Sequence, residues 1–252
     1  MKFMCIVSVL FLLPFSGWSG TFLETFDDKK LDGWQELVQL REPPGSWEIV
    51  NDELHAVSPD PAMRLLTTSD ETWEDYTLEF DVKPLKKHGI GAIVIAARVK
   101  GSVLFYCSFA DPVVLDDPLA GSFLSCMTGD LHDVNFVALY FESHPLLRLN
   151  KWSHLKLNVQ EEHFIFSLNG KTIAETGDDF ALMHNGEKIK AKVGKLANFL
   201  TGGVGFGLAN YTARFDNIIV TGDSVPNSGA FSVTPRGKLT TTWGNLKLTA
   251  HH

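Results

Sequence analysis

Tyr76-Thr-Leu-Glu-Phe-Asp-Val-Lys83 alternates apolar and polar side chains without a break. Successive strand residues point to opposite faces, so Tyr76, Leu78, Phe80 and Val82 face one way. Thr77, Glu79, Asp81 and Lys83 face the other. One side packs and the other meets water, as in an antiparallel sheet laid over a core.

Working outward, the same reading recurs at short spacing, broken by Gly, Asn, Asp and Pro. Strands are predicted over Gly91 to Val99, Ser102 to Phe109, Val134 to Phe141, Trp152 to Val159 and His163 to Leu168. Asn169-Gly170 is a hairpin signal leading into Lys171 to Ala174. Val204 to Leu208 and Arg214 to Val220 follow, and the apolar phase slips between Phe215 and Ile218, which predicts a β-bulge at Asp216-Asn217. A turn or two of helix is expected only within Asp178 to Phe199. Many short strands in a chain of 252 residues predict an all-β, two-sheet antiparallel jelly-roll sandwich.

The ends read differently. Met1-Lys2 precedes an apolar run from Phe3 to Phe15, and Gly17-Trp18-Ser19 supplies small residues for a peptidase. Residues 1–19 are read as a signal peptide, since a run of about 13 apolar residues is too short to span a bilayer. No later window is apolar enough for a membrane span. The sandwich domain is expected over 20–222, in an exported protein that is extracellular, periplasmic or at the cell surface. Residues 223–252 form a Ser/Pro/Asn/Gly linker and a tail, read as disordered, as an added edge strand, or as an attachment or sorting signal. Cys107 and Cys126 remain in the mature chain, where export favours a disulfide but two buried thiols are an equal alternative. A net charge of −8 argues against nucleic acid as a partner. The sequence assigns no oligomeric state.

Chemistry-bearing motifs are sparse. Glu79-Phe-Asp81 places two carboxylates on one strand face, the arrangement of jelly-roll glycosidases. The third acid of that pattern is replaced by Lys83, so the pair is rejected as an active site. The histidines form no metal-ligand motif, and no Gly-x-Ser-x-Gly elbow is present. Gly202-Gly-Val-Gly-Phe-Gly207 is superficially like a dinucleotide loop but lies between strands with no helix after it. Asn210-Tyr-Thr212 is an N-glycosylation sequon.

Seven segments in order carry a resemblance: Phe26-Asp-Asp28 with Leu31-Asp-Gly-Trp34, Trp47 to Leu54, Trp73 to Asp81, Lys151 to Leu157, Ser167-Leu-Asn-Gly170, Gly203 to Gly207 and Phe215-Asp-Asn-Ile218. Over about residues 22 to 221 the chain resembles the concanavalin A-like lectin/glucanase superfamily, close to laminin-G-like and 3-keto-disaccharide hydrolase-like domains. The resemblance implies a structural Ca²⁺ held by the Glu24 carboxylate, a carbonyl near Asp52 and the Asp216 carboxylate, hard oxygen ligands of the right kind. It also implies a concave sheet facing an extracellular glycan, with Arg98, Tyr106, His132, Tyr140 and Glu142 drawn from segments that line it. Trp34, Trp47, Trp73 and Trp152 are read as packing residues. The mid-chain motifs of the hydrolase-like domains are not matched. The expected function is therefore a carbohydrate-binding or adhesive module with no catalytic residues, the alternatives being a glycan hydrolase and a structural interaction domain.

Overall fold

The computed structural model describes residues 19–68, 70–111, 121–184, 187–196 and 200–229, so most of the expected signal peptide and the tail beyond 229 lie outside the described residues. Its strands run β1 Gly20–Glu24, β2 Trp34–Val38, β3 Ser46–Val50, β4 Glu53–Val57, β5 Arg64–Thr68, β6 Tyr76–Lys100, β7 Val103–Ala110 and β8 Phe123–Asp130. They continue with β9 Asn135–Ser143, β10 Ser153–Gln160, β11 His163–Leu168, β12 Lys171–Glu175, β13 Asp179–His184, β14 Glu187–Lys192, β15 Gly203–Gly222 and β16 Ser228–Gly229.

Two long strands organise the fold. The first half of β6 pairs with β10 and with the end of β15, and its second half pairs with β7 and with the start of β15. One layer therefore reads β12-β11-β10-β6-β15-β1-β16. The second reads β9-β8-β7-β6-β15-β5-β2, because β5 joins the start of β15 and β8 links β7 to β9. The β3–β4 hairpin attaches where β15 crosses between layers, at Thr212 to Phe215. The layers face one another across an aromatic core: Phe105 meets Phe164 at 4.7 Å between ring centroids, and Phe80 meets Phe206 at 5.5 Å. This is the antiparallel jelly-roll sandwich that the alternation predicts.

The Tyr76–Lys83 stretch behaves as read: Leu78, Phe80 and Val82 are fully enclosed while Glu79 and Asp81 reach solvent. The bulge is where the phase slip placed it, with Asn217 at φ 54° and the ladder shifting between Asp216 and Ile219. The Asn169-Gly170 hairpin closes β11 onto β12, both residues having positive φ as that turn demands. The glycine-rich run lies within β15, where Gly207 runs so close to β5 that a Cβ would sit 1.9 Å from the Arg64 carbonyl oxygen. Close packing, not phosphate binding, explains that glycine.

Three expectations are corrected. The predicted strands at 76–83 and 91–99 are one strand, because the polar stretch between them pairs with Tyr211 to Ala213 of β15. The helical turns expected within 178–199 are instead the hairpin β13–β14, with Asp179 opposite Lys192. The only helical turn among the described residues is a 3-10 turn at Gln39–Arg41, and no helix there is long and apolar enough to cross a membrane. Residues 223–229, read as a linker, are pinned to the domain. Val225 is buried, the Ser224 hydroxyl donates to the Glu74 carbonyl, and β16 runs parallel to β1.

Cys107 and Cys126 form a disulfide, opposite one another on β7 and β8 and wholly enclosed.

Candidate functional site

The five residues expected to line a glycan face do not converge. Arg98 occupies a bulge in β6 with φ 52° and is fully enclosed. Its guanidinium pairs with Asp75 at 3.3 Å, and its backbone N–H donates to the Tyr76 hydroxyl, which in turn donates to the Gly203 carbonyl. The Asp75 carboxylate also accepts the Glu161 N–H at 2.7 Å. Arg98 thus ties three segments together at one end of the sandwich, out of reach of a ligand.

Tyr106 lies on the outward face of the second layer, but it is buried, with its hydroxyl on the Met127 sulfur and its ring against Phe136. Tyr140 is on the opposite, core-facing side of that layer, where its hydroxyl donates to the Glu142 carboxylate and its ring meets Phe180. Burial and then that carboxylate push the Tyr140 phenol up. Glu142 is exposed, and His132 sits in the β8–β9 turn, its backbone N–H bonded to Asp130. Tyr140 and Glu142 are therefore the one pair of the five that the fold joins directly.

The outward face of the second layer is built from small and apolar side chains: Ala92, Val94 and Ala96 on β6, Leu104 and Tyr106 on β7, and Phe123 on β8, all buried. Strand alternation puts no carboxylate or imidazole on that face among the described residues.

The outward face of the first layer is the reverse, open and charged. Register places His154 of β10 opposite Asp81 and Lys156 opposite Glu79. His154 Nδ1 lies 3.0 Å from Asp81 Oδ1, and its Nε2 lies 3.7 Å from Glu79, too far for a hydrogen bond but close enough for an ion pair. The Lys156 ammonium is 2.9 Å from the same Glu79 oxygen, and Asn217 Nδ2 donates to the second oxygen of Asp81 at 2.9 Å. Asn158 donates to Thr77 at 2.9 Å one step further along.

These neighbours fix the charges. Asp81 first, then Glu79, hold the His154 ring protonated up to about 9. The His154 ring, and then Lys156, hold Glu79 down to about 2. A group whose folded pKa lies above its unfolded value near 6.5 adds stability that is whole below that pH and fades as pH rises through the folded value. The His154 ring resonances should therefore titrate near pH 9 by NMR. Thermal stability should fall between pH 6.5 and 9 more steeply in the natural chain than in His154→Ala. A ring midpoint near the ordinary value would contradict the network.

The expected calcium residues come from neighbouring segments. Glu24 of β1 lies opposite Ile218, and Asp216 lies two residues before Ile218 on β15. Asp52 sits at φ 59° in the turn before Leu54, which pairs with Phe215. Glu24 is buried and accepts the Phe26 N–H at 2.7 Å and, more weakly, the Trp34 indole. The donor set is of hard oxygens, as Ca²⁺ requires. Among the described residues no group of three or more His, Cys, Asp and Glu side chains could hold a metal ion, so such a site depends on carbonyl oxygens.

Trp34 and Trp73 are enclosed and Trp47 is partly buried against the same core, its indole donating to Glu36 at 2.8 Å. Trp152, read as a packing residue, is instead 41% exposed. Its sequence context resembles that of the other strand-start tryptophans, and only the register reveals that it falls on the outward face. The sequon is not a surface feature either, since Asn210 is buried and its Nδ2 donates to the Ile90 carbonyl at 2.6 Å.

The fold is a concanavalin A-like jelly roll, with Glu79, Asp81, His154 and Lys156 ordered as one charged network on an open sheet face. The chain belongs to the family of 3-keto-alpha-glucoside-1,2-lyase-like domains, whose sequence profile matches residues 21–221. Among solved structures it is similar to the carbohydrate-binding module CBM66 from Bacillus subtilis, with TM-score 0.50 and 17% identity over 74% of this chain and 93% of that one. It is also similar to the CBM2 module of the evolved Dit of Lactobacillus casei BL23 phage J-1, with TM-score 0.52 and 8% identity over 82% of this chain and 98% of that one. At such identities the likeness speaks for the fold alone. No curated protein matches the sequence.

Proposed function

We propose that this domain is exported and binds an extracellular glycan without catalytic activity of its own. The observation that carries the reading is the network on the open face, where His154 stands 3.0 Å from Asp81, Lys156 2.9 Å from Glu79 and Asn217 2.9 Å from Asp81, a setting that drives His154 up to about 9 and Glu79 down to about 2. General acid–base catalysis at neutral pH needs a group that titrates near neutrality. These groups are fixed charges, suited to holding hydroxyls in place by charge-assisted hydrogen bonds. The family and the neighbouring folds make a sugar the natural ligand class, and the Cys107–Cys126 disulfide supports export to an oxidising compartment. Glu142, oriented by Tyr140, offers a second exposed carboxylate at the sandwich edge.

The family's description, a 3-keto-alpha-glucoside-1,2-lyase-like domain, favours a second reading, cleavage of the glycosidic bond of a 3-keto glucoside. A glycan array probed with the full mature chain, beside a turnover assay on 3-keto glucosides, separates the two. Saturable binding without turnover supports the module, and turnover overturns it.

The reading includes a structural Ca²⁺ held by the Glu24 carboxylate, a carbonyl near Asp52 and the Asp216 carboxylate. A cation at about 100-fold excess over its Kd adds roughly 2.7 kcal/mol to a fold that binds it. Thermal unfolding in Ca²⁺ against EDTA should differ by several degrees, and Glu24→Gln should remove the difference. Equal melting in both buffers would dismiss the site.

A further inference from the structure

Trp152 immediately precedes β10, and the register that sets Ser153 opposite Val82 brings Trp152 beside Lys83. The Lys83 ammonium stands 5.8 Å from the indole centroid, near the outer limit of a cation–π contact, and among the described residues it forms no ion pair. Two residues on, and so about 7 Å along the same face, His154 is held by Asp81, which Asn217 holds from the other side. A large apolar ring is thus left in water beside a set of polar groups whose positions are already fixed.

We infer that Trp152 is a stacking platform for a pyranose ring, with Lys83, His154, Asp81 and Asn217 bonding the hydroxyls at its rim. The inference rests on the glycan-binding reading and gives it a place on the molecule. A pyranose has an apolar C–H face and a polar circumference, and this patch has the complementary layout, one aromatic surface bordered by donors and acceptors. A protein partner would call for a contiguous apolar centre, whereas here the ring stands beside Lys83, with the His154–Asp81 pair about 7 Å along the same face. The polar groups are not consumed by their mutual bonds, because each Asp81 oxygen has a second lone pair and Lys83 has free donors. Ordering them beforehand lowers the entropic cost of holding a sugar.

The test is a glycan array carrying neutral and acidic pyranosides, followed by titration of the best ligand into the natural chain, Trp152→Ala, Trp152→Phe and Lys83→Ala. Trp152→Ala should weaken binding by about tenfold or more, and Trp152→Phe should recover most of it. Lys83→Ala should cost a smaller factor. Melting temperatures should stay within about two degrees, because an exposed ring contributes little to the core. Undiminished binding by folded Trp152→Ala would overturn the platform and leave glycan binding intact elsewhere. An array on which the natural chain binds nothing would overturn both.

Discussion

Reducing the Cys107–Cys126 disulfide, or replacing both residues by Ala, is expected to lower the melting temperature by about 6–12 °C. The bond joins directly opposed residues of β7 and β8 across 4.0 Å between Cα atoms, with both side chains fully enclosed. It closes a loop of 19 residues of separation, for which chain-entropy arguments give roughly 3 kcal/mol. In a domain of this size each kcal/mol moves the midpoint by about 2–4 °C. The strands would stay paired without it, since the β6·β7 and β7·β8 ladders run unbroken past the site, and β8 stays paired with β9 on both sides of the register shift between Cys126 and Met127. The reduced protein should therefore keep its fold at low temperature and its far-ultraviolet signal. Differential scanning calorimetry with and without reductant, with thiol release confirmed by alkylation, checks the shift. A midpoint unmoved by complete reduction would mean that the bond constrains nothing the sheet does not already hold.

The part of the fold legible in the sequence is the part set by neighbours along the chain. Alternation from Tyr76 to Lys83, the Asn169-Gly170 turn and the phase slip at Asp216-Asn217 each follow from side-chain direction or from backbone preference. What was not legible is set by partners far away. Lys86, Lys87 and His88 fall between the two predicted strands, yet Lys86 and Lys87 are paired, because Thr212 and Tyr211 lie opposite them on β15. Arg98 follows an apolar run and invites a surface role. A one-residue slip of the ladder against Gly203 and Val204 turns it inward instead, and no local feature of the sequence announces that slip. The same holds for Trp152, whose exposure depends on which face of β10 the register selects. Glu79 and Asp81 lack the third acid of the glycosidase pattern in the sequence, and in space they have partners that the strand itself does not announce. The strand opposite supplies His154 and Lys156, which turn the two carboxylates into anchored charges. Candidate sites are thus the least legible element, because they are assembled across strands.

Asp75→Asn is expected to destabilise the domain by about 3 kcal/mol, more than truncating Asp75's size would suggest. The substitution keeps a carbonyl oxygen able to accept the Glu161 N–H and removes only the charge facing Arg98. The Arg98 side chain is 0% exposed, and burial works to push its pKa down while Tyr76, Asp75 and Glu74 act to hold it up. Taking a counter-charge away from a buried cation costs about 3–5 kcal/mol, and the lower figure applies because Asp75 is itself 47% exposed and Glu74 still acts on the guanidinium. The sign of the double change decides between charge and packing. If the lost charge opposite the buried guanidinium is the source of the loss, then Asp75→Asn combined with Arg98→Met, an apolar filler of similar length, should be more stable than Asp75→Asn alone. If Arg98 matters only as a strut between Asp75, the bulge and the Gly203 segment, the second substitution should add to the damage. Chemical denaturation of the three variants reads the difference directly, and additive losses would exclude the buried-charge account.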